Sequence, residues 1–357
     1  MRASFVLPSA GGGGGVHSVV QEAIGLQRFG VAIKVINSGE KLGAFRANYP
    51  ELETAGIKVV GASSPEELAP ELDGEDIACA TTFKSAHALR DALKLVKGRK
   101  PRPAYYIQDY EPLFCAPETA DWRSARSSYA ALEEALLFAK TRWLCDLVEA
   151  NTGLQVAKVS PSIDHSVYFA SDQRRKGRIV ISAMLRPRTP RRAPHRTARI
   201  LERIAAAYGD KVELMVFGCA DQELDAQGLR LPPETSQRGV LSRREVAAVL
   251  RASDLFLDLS DYQAFGRTGL EAMACGCVAL LPVFGGATEY AQHWRNAILV
   301  DVRSDAAVMS EIDRFVNLSP EELGRMRNAA IATALDYTVD KAAFSEKVLF
   351  ERHLSAH

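Results

Sequence analysis

A glycine-containing turn between an apolar run and a helix-forming segment carries the residues best suited to hold a phosphorylated ligand. The strand pattern Asp254–Leu259 leads into the turn Gly266–Gly269, and a helical pattern follows over Thr268–Ala274. We expect free backbone N–H groups in this turn, and such groups together with the helix dipole favour a phosphate. Glu271 is expected in the first helical turn, where its carboxylate can accept hydrogen bonds from sugar hydroxyls. Ligands of open α/β sheets bind beyond the carboxyl ends of the strands, so the pattern predicts a binding site here.

The longer run around this turn has a specific resemblance. From Ser260 to Val278 it reads S-D-Y-Q-A-F-G-R-T-G-L-E-A-M-A-C-G-C-V. This run resembles the E-x-F-G-x-x-x-x-E-A-M-A-C-G signature of glycosyltransferase family 4, which contains retaining enzymes with the GT-B fold. The resemblance implies that Glu271 binds the ribose of a nucleotide and that position 263 contacts the donor hexose. Donor contacts are also expected from the start of the helix, at Gly266, Arg267 and Thr268.

Position 263 is Gln263, where the family signature has a glutamate. The amide side chain keeps a similar length, but it is neutral and offers N–H donors as well as an acceptor. This difference leaves the sugar specificity open and motivates a second hypothesis, a non-catalytic nucleotide-sugar-binding protein. In a purely structural alternative, Glu271 is an ordinary helix carboxylate and Phe265–Gly266 is a simple turn. The strand, the turn, the glutamate and the small residues at the helix end all match the signature at the same spacing. This agreement disfavours the structural alternative.

A basic loop follows the first apolar strand of the second half. Five arginines lie between positions 186 and 196. A diphosphate leaving group needs such cations, because negative charge grows on it as the glycosidic bond breaks. The family resemblance assigns the diphosphate contacts to Arg186 and Arg191, with Arg192 as a close competitor for the second place. A solvated basic loop, or a site for lipid headgroups or acceptor phosphates, is the alternative for the outer arginines.

Two further donor contacts follow from the resemblance. The glycine run Gly11–Gly15 resembles the first loop of the family, which lines the cleft near donor and acceptor, and we assign a donor contact to Gly15. Glycines without side chains also permit close backbone approach and loop movement. The turn Gly239–Leu241 matches the stretch that lies against the nucleotide base in this family. It assigns the base contacts to Val240 and Leu241.

Polar and aromatic residues end a strand in the first half of the chain. The run Gln108–Pro112 reads Q-D-Y-E-P, whereas family 4 enzymes often carry a His-Asp pair at this place. The run resembles the corresponding segment of a rhamnosyltransferase-like subgroup of the family. We expect Asp109 to face the transferred sugar, and the alternative is that it caps the loop that follows.

Alternating strand and helix patterns position these residues. Apolar strand-like runs separated by helical segments recur through both halves, which implies parallel sheets with crossover helices. We therefore predict an α/β protein of GT-B architecture: two Rossmann-like parallel-sheet domains facing across a cleft, with the C-terminal helix crossing back to the first domain. The polar stretch Ser171–Gly177 sets the predicted boundaries. They are residues 1–170 for the acceptor-side domain, 171–337 for the nucleotide-sugar-binding domain and 338–357 for the returning helix.

Bulk composition narrows the classes of partner and compartment. The 357 residues contain 44 basic and 44 acidic side chains, and the arginine cluster is confined to one loop, which argues against nucleic acid. Apolar runs are too short to span a bilayer, so we expect a cytoplasmic protein with at most peripheral contact at the inner face of the membrane. Six scattered cysteines predict reduced thiols. The lack of a D-x-D motif after a strand predicts no metal requirement and no cofactor.

These observations predict a metal-independent retaining glycosyltransferase. It would move a hexose or deoxyhexose, such as rhamnose, from a nucleoside diphosphate sugar to a hydroxyl of a saccharide or lipid-linked saccharide, in surface polysaccharide synthesis. The predicted catalytic residues are Arg186, Arg191, Asp109 and Gln263. A nucleotide-sugar epimerase of the same fold is an alternative. A nicotinamide dehydrogenase fits poorly, because the second strand ends in Asn37–Ser38 without the acidic residue that such enzymes need.

Overall fold

The chain folds into two compact units. The structure is a computed structural model that describes residues 1–171 and 177–356. Unit 1 contains Met1–Ser162 together with Thr338–His357, and unit 2 contains Ile163–Tyr337. The structure thus divides the chain eight residues before the predicted boundary, because Ile163 and Tyr168 are buried in the core of unit 2. The predicted linker falls largely on residues 172–176, which lie outside the described residues.

Unit 1 is built on a parallel sheet. Its strand order is β3-β2-β1-β4-β5-β6-β7. The strands are β1 Arg2–Val6, β2 Ala32–Asn37, β3 Lys58–Gly61, β4 Ile77–Ala80, β5 Arg102–Ile107, β6 Leu136–Ala139 and β7 Ala157–Lys158. Its helices are α1 Gly14–Arg28, α2 Leu42–Asn48, α3 Glu51–Thr54, α4 Pro65–Leu72, α5 Phe83–Leu95, α6 Ala120–Ser127, α7 Arg142–Thr152 and, from the end of the chain, α14 Val339–Ser355. The alternation of strand and helix confirms the predicted α/β pattern.

Local capping determines where several of these helices begin. Thr82 accepts a hydrogen bond from the backbone of Ser85, and the Ser85 side chain accepts one from the Thr82 backbone in return. This reciprocal pair satisfies amide groups that the helix itself leaves unbonded. Thr141 caps α7 by accepting from the backbone of Leu144 in the same way. Strand ends and helix starts therefore meet at sharply defined points along one edge of the sheet.

The last helix, α14, belongs to the core of unit 1. Phe350 is fully buried, and its ring lies 5.8 Å from the ring of Phe138 on β6. α14 also packs closely on α1, since a Cβ added at Gly25 would lie 2.6 Å from the Cβ of Ala343. The return of the C-terminal helix to the first unit is thus as predicted.

Unit 2 repeats the same construction. Its strand order is β10-β9-β8-β11-β12-β13, again parallel throughout. The strands are β8 Ile179–Met184, β9 Val212–Phe217, β10 Ser236–Gln237, β11 Leu255–Leu257, β12 Val278–Pro282 and β13 Ile298–Val300. The helices are α8 Pro194–Tyr208, α9 Asp221–Ala226, α10 Arg243–Ala252, α11 Arg267–Ala274, α12 Asp305–Val316 and α13 Pro320–Ala334. Parallel strands bring the loops after β8, β9, β11 and β12 to one edge of the sheet.

The six cysteines all lie within the described residues and are free thiols. All except Cys115 are buried. Burial raises the pKa of several of these thiols, for example that of Cys145 to about 11, so they behave as small apolar groups rather than nucleophiles.

Candidate functional site

The ends of β8, β9 and β10 are joined by a chain of hydrogen bonds that begins at Arg186. The guanidinium Nη1 of Arg186 donates to the carbonyl of Gly218 at 3.1 Å, and the amide of Gly218 donates to the carbonyl of Gly239 at 2.8 Å. Gly218 has a φ of +106°, and a Cβ there would lie 2.8 Å from the carbonyl oxygen of Leu185. Only glycine fits this position without strain, so the backbone at Gly218 fixes where Arg186 is anchored.

Val240 and Leu241, the two predicted base contacts, differ in their surroundings. Val240 is 70% exposed, directly after the Gly239 turn. Leu241 packs against the hydrophobic core that includes Leu250 and Phe256. The exposed apolar side chain of Val240 offers a face for a planar ring, whereas Leu241 anchors the turn to the core.

The arginine loop is tied to the segment after β11. The amide of Asp261 donates to the carbonyl of Arg191 at 2.8 Å. Arg196, in the first turn of α8, donates through Nη1 to the carbonyl of Leu259 at 2.8 Å and lies 2.9 Å from Oδ1 of Asp261. Sequence reasoning counted Arg196 in the basic cluster but gave it no role. Its position in the sequence could have indicated this role, because Arg196 is the third residue of α8 and can reach back over the loop that precedes the helix.

The backbone between the arginines and α8 takes an unusual form. Pro190–Arg192 forms a single 3-10 turn, and Ala193 follows with a φ of +46° and a ψ of +54° as the residue before α8. This is the left-handed region, which glycine adopts readily and alanine rarely. Arg192 therefore sits immediately before a left-handed residue at a helix start.

A buried polar network surrounds Gln263. Its Nε2 donates to Oδ2 of Asp258 at 2.8 Å and lies 3.1 Å from Oγ of Ser260. The hydroxyl of Ser260 donates in turn to Oδ1 of Asp258 at 2.5 Å. All three side chains are more than nine-tenths buried. On the backbone side, the amide of Gly286 donates to the carbonyl of Gln263 at 2.7 Å.

Glu271 lies one residue further along α11 than the sequence pattern predicts. It is the fifth residue of the helix, because the helix begins at Arg267 and the preceding Gly266 is left-handed with a φ of +77°. The amide of Gly269, expected to be free, donates to the carbonyl of Gly266 at 3.0 Å. The left-handed glycine closes a tight turn, so the helix begins one residue earlier than predicted and the amide of Gly269 is not free for a ligand.

Burial and an ion pair define the environment of Glu271. The Nε of Arg267 lies 2.8 Å from Oε1 of Glu271, and both side chains are at least nine-tenths buried. Burial raises the pKa of the Glu271 carboxyl, against the opposing charge of Arg267 and a hydrogen bond from Tyr168. Arg267 is thus a partner of Glu271 in the structure. Thr268, the second residue of α11, stays at the helix start as predicted.

In unit 1, the predicted residues Gly15 and Asp109 lie near the ends of neighbouring elements. Gly15 is the second residue of α1, and a Cβ added there would lie 3.3 Å from Oε1 of Gln108. Oδ1 of Asp109 accepts a hydrogen bond from the backbone amide of Tyr110 at 2.9 Å. One oxygen of Asp109 therefore caps its own loop, as the structural alternative proposed.

Glu111 is a titratable group that sequence reasoning missed. Its Oε2 accepts hydrogen bonds from the amide of Phe83, the first residue of α5, at 2.5 Å and from the hydroxyl of Tyr105 at 2.9 Å. Burial, with a smaller contribution from the charge of Asp109, raises the pKa of the Glu111 carboxyl to about 7. Glu111 is part of the Q-D-Y-E-P run, so the sequence places it among the polar residues of this strand end. Only the fold shows that its side chain points inward.

Among residues 1–171 and 177–356, no three histidine, cysteine, aspartate or glutamate side chains come together as a metal-binding group. Within the same residues, no helix is both long and apolar enough to cross a bilayer.

Most of these residues lie in a segment that matches a known protein family. Residues 176–333 match the family described as Glycosyl transferases group 1. The match lies within unit 2. The loops that hold Arg186, Arg191, Gln263 and Glu271 all lie inside the matched segment.

Characterised relatives share part of the chain. D-inositol 3-phosphate glycosyltransferase of Pseudarthrobacter chlorophenolicus is 29% identical over 189 residues, which are 48% of this chain and 42% of the relative. The O-antigen biosynthesis protein RfbC of Myxococcus xanthus is 27% identical over 212 residues, 59% of this chain and 16% of the relative. The chain thus spans less than half the length of either relative.

Solved structures match the fold over the whole chain. Anabaena HepE in complex with UDP and glucose has a TM-score of 0.79 and 18% identity, over 98% of this chain and 99% of that chain. Sucrose-phosphate synthase from Thermosynechococcus elongatus has a TM-score of 0.77 and 12% identity over 100% of both chains. These neighbours confirm the predicted fold class, in which unit 1 and unit 2 are both Rossmann-like parallel-sheet units.

Proposed function

We propose that the protein is a retaining, metal-independent glycosyltransferase that uses a nucleoside diphosphate sugar. It transfers a hexose or deoxyhexose to a hydroxyl of a saccharide or lipid-linked saccharide acceptor. The observation that carries this proposal is the joining of the arginine loop to the Gln263 segment, through the hydrogen bond from Asp261 to Arg191. Cations for a diphosphate and polar groups for a sugar thereby meet at one sheet edge of a glycosyltransferase domain.

The diphosphate is bound by arginines in this proposal. Arg186 is held at the end of β9 by Gly218, and the second cation comes from the turn before α8. The arginine loop resembles the family 4 loop G-R-x-x-x-x-K-G, which ends in a Lys-Gly pair, and the left-handed Ala193 takes the conformation that such a glycine would have. This favours Arg192, the residue before Ala193, over Arg191 as the counterpart of the lysine.

The chemical step then needs no side chain as a base to remove the acceptor proton. The bond between the anomeric carbon and the diphosphate oxygen breaks, and the acceptor oxygen bonds to the same face of the anomeric carbon. The acceptor proton passes to an oxygen of the departing diphosphate, whose growing negative charge the arginines stabilise. Binding the leaving group more strongly than the intact donor lowers the barrier, because that charge is greatest in the transition state.

The nucleoside contacts follow from the remaining residues. Glu271 accepts hydrogen bonds from the ribose, and the buried guanidinium of Arg267 opposes the rise in the pKa of its carboxyl that burial causes. The exposed Val240 packs on the base. UDP in the Anabaena neighbour makes a uridine diphosphate sugar one donor to test, while the Q-D-Y-E-P run favours dTDP-rhamnose.

The acceptor is proposed from one relative and from one side chain of unit 1. The Myxococcus relative is an O-antigen biosynthesis protein, which favours a bacterial surface polysaccharide as the product. Asp109 in unit 1 is proposed to face the transferred sugar, as the resemblance of the Q-D-Y-E-P run implies. Action in the cytoplasm, with an acceptor presented at the inner face of the membrane, is the setting that agrees with this assignment.

The experiment is a thermal-shift screen of the purified protein with EDTA present throughout. The ligands are dTDP-rhamnose, UDP-glucose, GDP-mannose and UDP-N-acetylglucosamine, with NAD for comparison. A ligand present at 100 times its Kd stabilises by about 2.7 kcal/mol. We expect one sugar nucleotide to raise the Tm, and Glu271→Gln to reduce that rise, while Glu202→Gln, an exposed carboxylate on α8, leaves it unchanged.

Three results would count against the proposal. If only NAD raises the Tm, or if no sugar nucleotide raises it, donor binding is contradicted. A rise that appears only when EDTA is replaced by a divalent cation contradicts metal independence. Binding of a sugar nucleotide without transfer to any saccharide, or with epimerisation of its sugar, favours the binding-protein or epimerase alternatives.

A further inference from the structure

The buried network around Gln263 raises a question that the proposed function alone does not answer: why an amide stands at the sugar-contacting position. The following inference deepens the proposed function and rests on it. Both hydrogens on Nε2 of Gln263 have acceptors, one at Oδ2 of Asp258 and one at Oγ of Ser260. Ser260 can accept in this way because its own hydroxyl donates to Asp258. The three side chains therefore fix which end of the amide faces inward.

The carbonyl oxygen of the amide is left for a ligand. Among residues 1–171 and 177–356, Oε1 of Gln263 has no hydrogen-bond partner, although the side chain is only 8% exposed. An amide carbonyl oxygen accepts hydrogen bonds and cannot donate them. A sugar hydroxyl can donate to it, and a group without a hydrogen to donate cannot replace that hydroxyl.

The backbone of Gln263 is held as firmly as its side chain. A Cβ added at Gly285 would lie 2.5 Å from the carbonyl oxygen of Gln263, so a glycine is needed to let the two loops touch. Gly286 then donates its amide to that same oxygen. With backbone and amide nitrogen both fixed, Oε1 has little freedom to turn away from its place.

We propose that Asp258 is a positioning residue for the donor sugar, and that Asp258 and Gln263 act as one pair. Asp258 turns the amide so that Oε1 accepts a hydrogen bond from one hydroxyl of the transferred hexose. The same pair explains why position 263 is not a glutamate. A carboxylate there would stand 2.8 Å from the carboxylate of Asp258, which would bring two like charges together in a buried site.

Exchanging the acid and the amide tests the pair. In Gln263→Glu two carboxylates face each other, so the Tm of the unliganded protein falls by about 5 °C. In the double variant Asp258→Asn with Gln263→Glu, the asparagine amide donates to the glutamate, and the pattern of donors and acceptors is restored in reverse. We expect the Tm of this double variant to return to within about 1 °C of the wild type.

Ligand binding separates a positioning role from a purely structural one. The Kd of the sugar nucleotide found in the thermal-shift screen is compared with the Kd of the matching nucleoside diphosphate, which lacks the sugar. Gln263→Glu weakens the sugar nucleotide about tenfold and leaves the nucleoside diphosphate within about threefold. The double variant recovers most of the lost affinity, and the KM for the donor follows the same order. Asp210→Asn, an exposed aspartate before β9 at the opposite edge of the sheet, is the matched control and changes neither constant.

Each adverse result has a separate meaning. If Gln263→Glu keeps the Tm and affinity of the wild type, or if the double variant is no better than Gln263→Glu, the pairing is overturned. If affinity for sugar nucleotide and nucleoside diphosphate fall together, Asp258 and Gln263 act only on the fold. If the wild type binds no sugar nucleotide, the proposed function fails and the sugar contact fails with it, whereas the Tm measurements still report on the pairing itself.

Discussion

At the scale of single residues, Glu111 is a carboxyl group that titrates close to neutral pH. Its two hydrogen-bond donors, Phe83 and Tyr105, stabilise the charged form, but burial outweighs them and raises the pKa to about 7 from an ordinary 4.5. Above pH 4.5 the unfolded chain releases this proton while the folded chain keeps it. The folded state therefore loses stability from this group as the pH rises from about 4.5 to about 7, and the loss amounts to about 3 kcal/mol.

Glu111→Gln should remove this dependence. The amide oxygen can still accept from Phe83 and Tyr105, and it has no proton to release. We expect the variant to match the wild type near pH 4.5 and to be more stable by up to about 3 kcal/mol above pH 7. Urea unfolding at a series of pH values measures the difference. A difference between the two proteins that stays constant from pH 4.5 to 8 would show that Glu111 titrates normally.

Gly218 is a second residue at which a single substitution tests the structure. Gly218→Ala places a Cβ 2.8 Å from a backbone oxygen at a φ of +106°, so we expect a loss of about 2–3 kcal/mol and weaker diphosphate binding through Arg186. Gly228→Ala is the control, because its φ is +61° and no atom lies within 4 Å of the added Cβ. It should cost about 1 kcal/mol and leave binding unchanged. Equal losses in the two variants would show that no clash occurs at Gly218.

At the scale of elements, the site in unit 2 depends on how α8 is tied to the loop after β11. Arg196 makes this connection through the carbonyl of Leu259 and the carboxylate of Asp261, and its side chain is 17% exposed. The arginine loop lies directly before α8, so movement of the helix start would move the cations as well. Sequence reasoning found the loop and the strand end separately, but not the side chain that joins them.

Arg196→Met tests this connection with a side chain of similar length. It leaves the Leu259 carbonyl and Asp261 without their donor, so we expect a loss of about 1–3 kcal/mol and a higher Kd for the nucleoside diphosphate. Arg203→Met, on the same helix, removes an exposed ion pair with Asp305 and should change stability by less than about 0.5 kcal/mol. Calorimetry gives both numbers. Unchanged diphosphate binding in Arg196→Met would mean that the arginine loop holds its own shape.

At the scale of the whole molecule, the end of the chain completes the core of unit 1. Three ionisable side chains are buried where α1, α14 and the end of β6 meet: Glu22, Lys140 and Glu346. Lys140 lies 2.8 Å from Glu22, which also accepts hydrogen bonds from Tyr106 and Ser162. Burial, and then the nearby charge of Glu22, raise the pKa of the Glu346 carboxyl well above its ordinary value. Burial thus favours the neutral form of Glu346, and Lys140 pairs with Glu22.

Two substitutions distinguish these roles. Lys140→Met leaves the carboxylate of Glu22 buried without its cation, so we expect a loss of about 3–5 kcal/mol. Glu346→Gln replaces a carboxyl whose neutral form is favoured by burial with a neutral amide of the same shape, and should cost less than about 1 kcal/mol at pH 7. Thermal unfolding at pH 7 compares them. A larger loss in Glu346→Gln than in Lys140→Met would show that Glu346 is the charged partner.

Much of this protein could be predicted from local sequence, and the reason is physical. The spacing of apolar residues reflects the periods of strand and helix, so two α/β halves and the strand end before Gly266 follow from nearest neighbours along the chain. The same is true of the segment from Ser260 to Val278, where turn and helix lie in one continuous run. A residue's type and its near neighbours are enough for such features.

Tertiary structure alone decided the remaining features. The pairing of Asp258 with Gln263, the tie from Arg196 to the loop after β11, and the inward turn of Glu111 depend on which loops meet at a sheet edge. The hydrogen bond that closes the turn before α11 also depends on the left-handed Gly266, a backbone state that residue type permits but does not require. Sequence determined which chemical groups are present near each strand end. Only the packing of distant segments determined their partners, their burial and hence their charge.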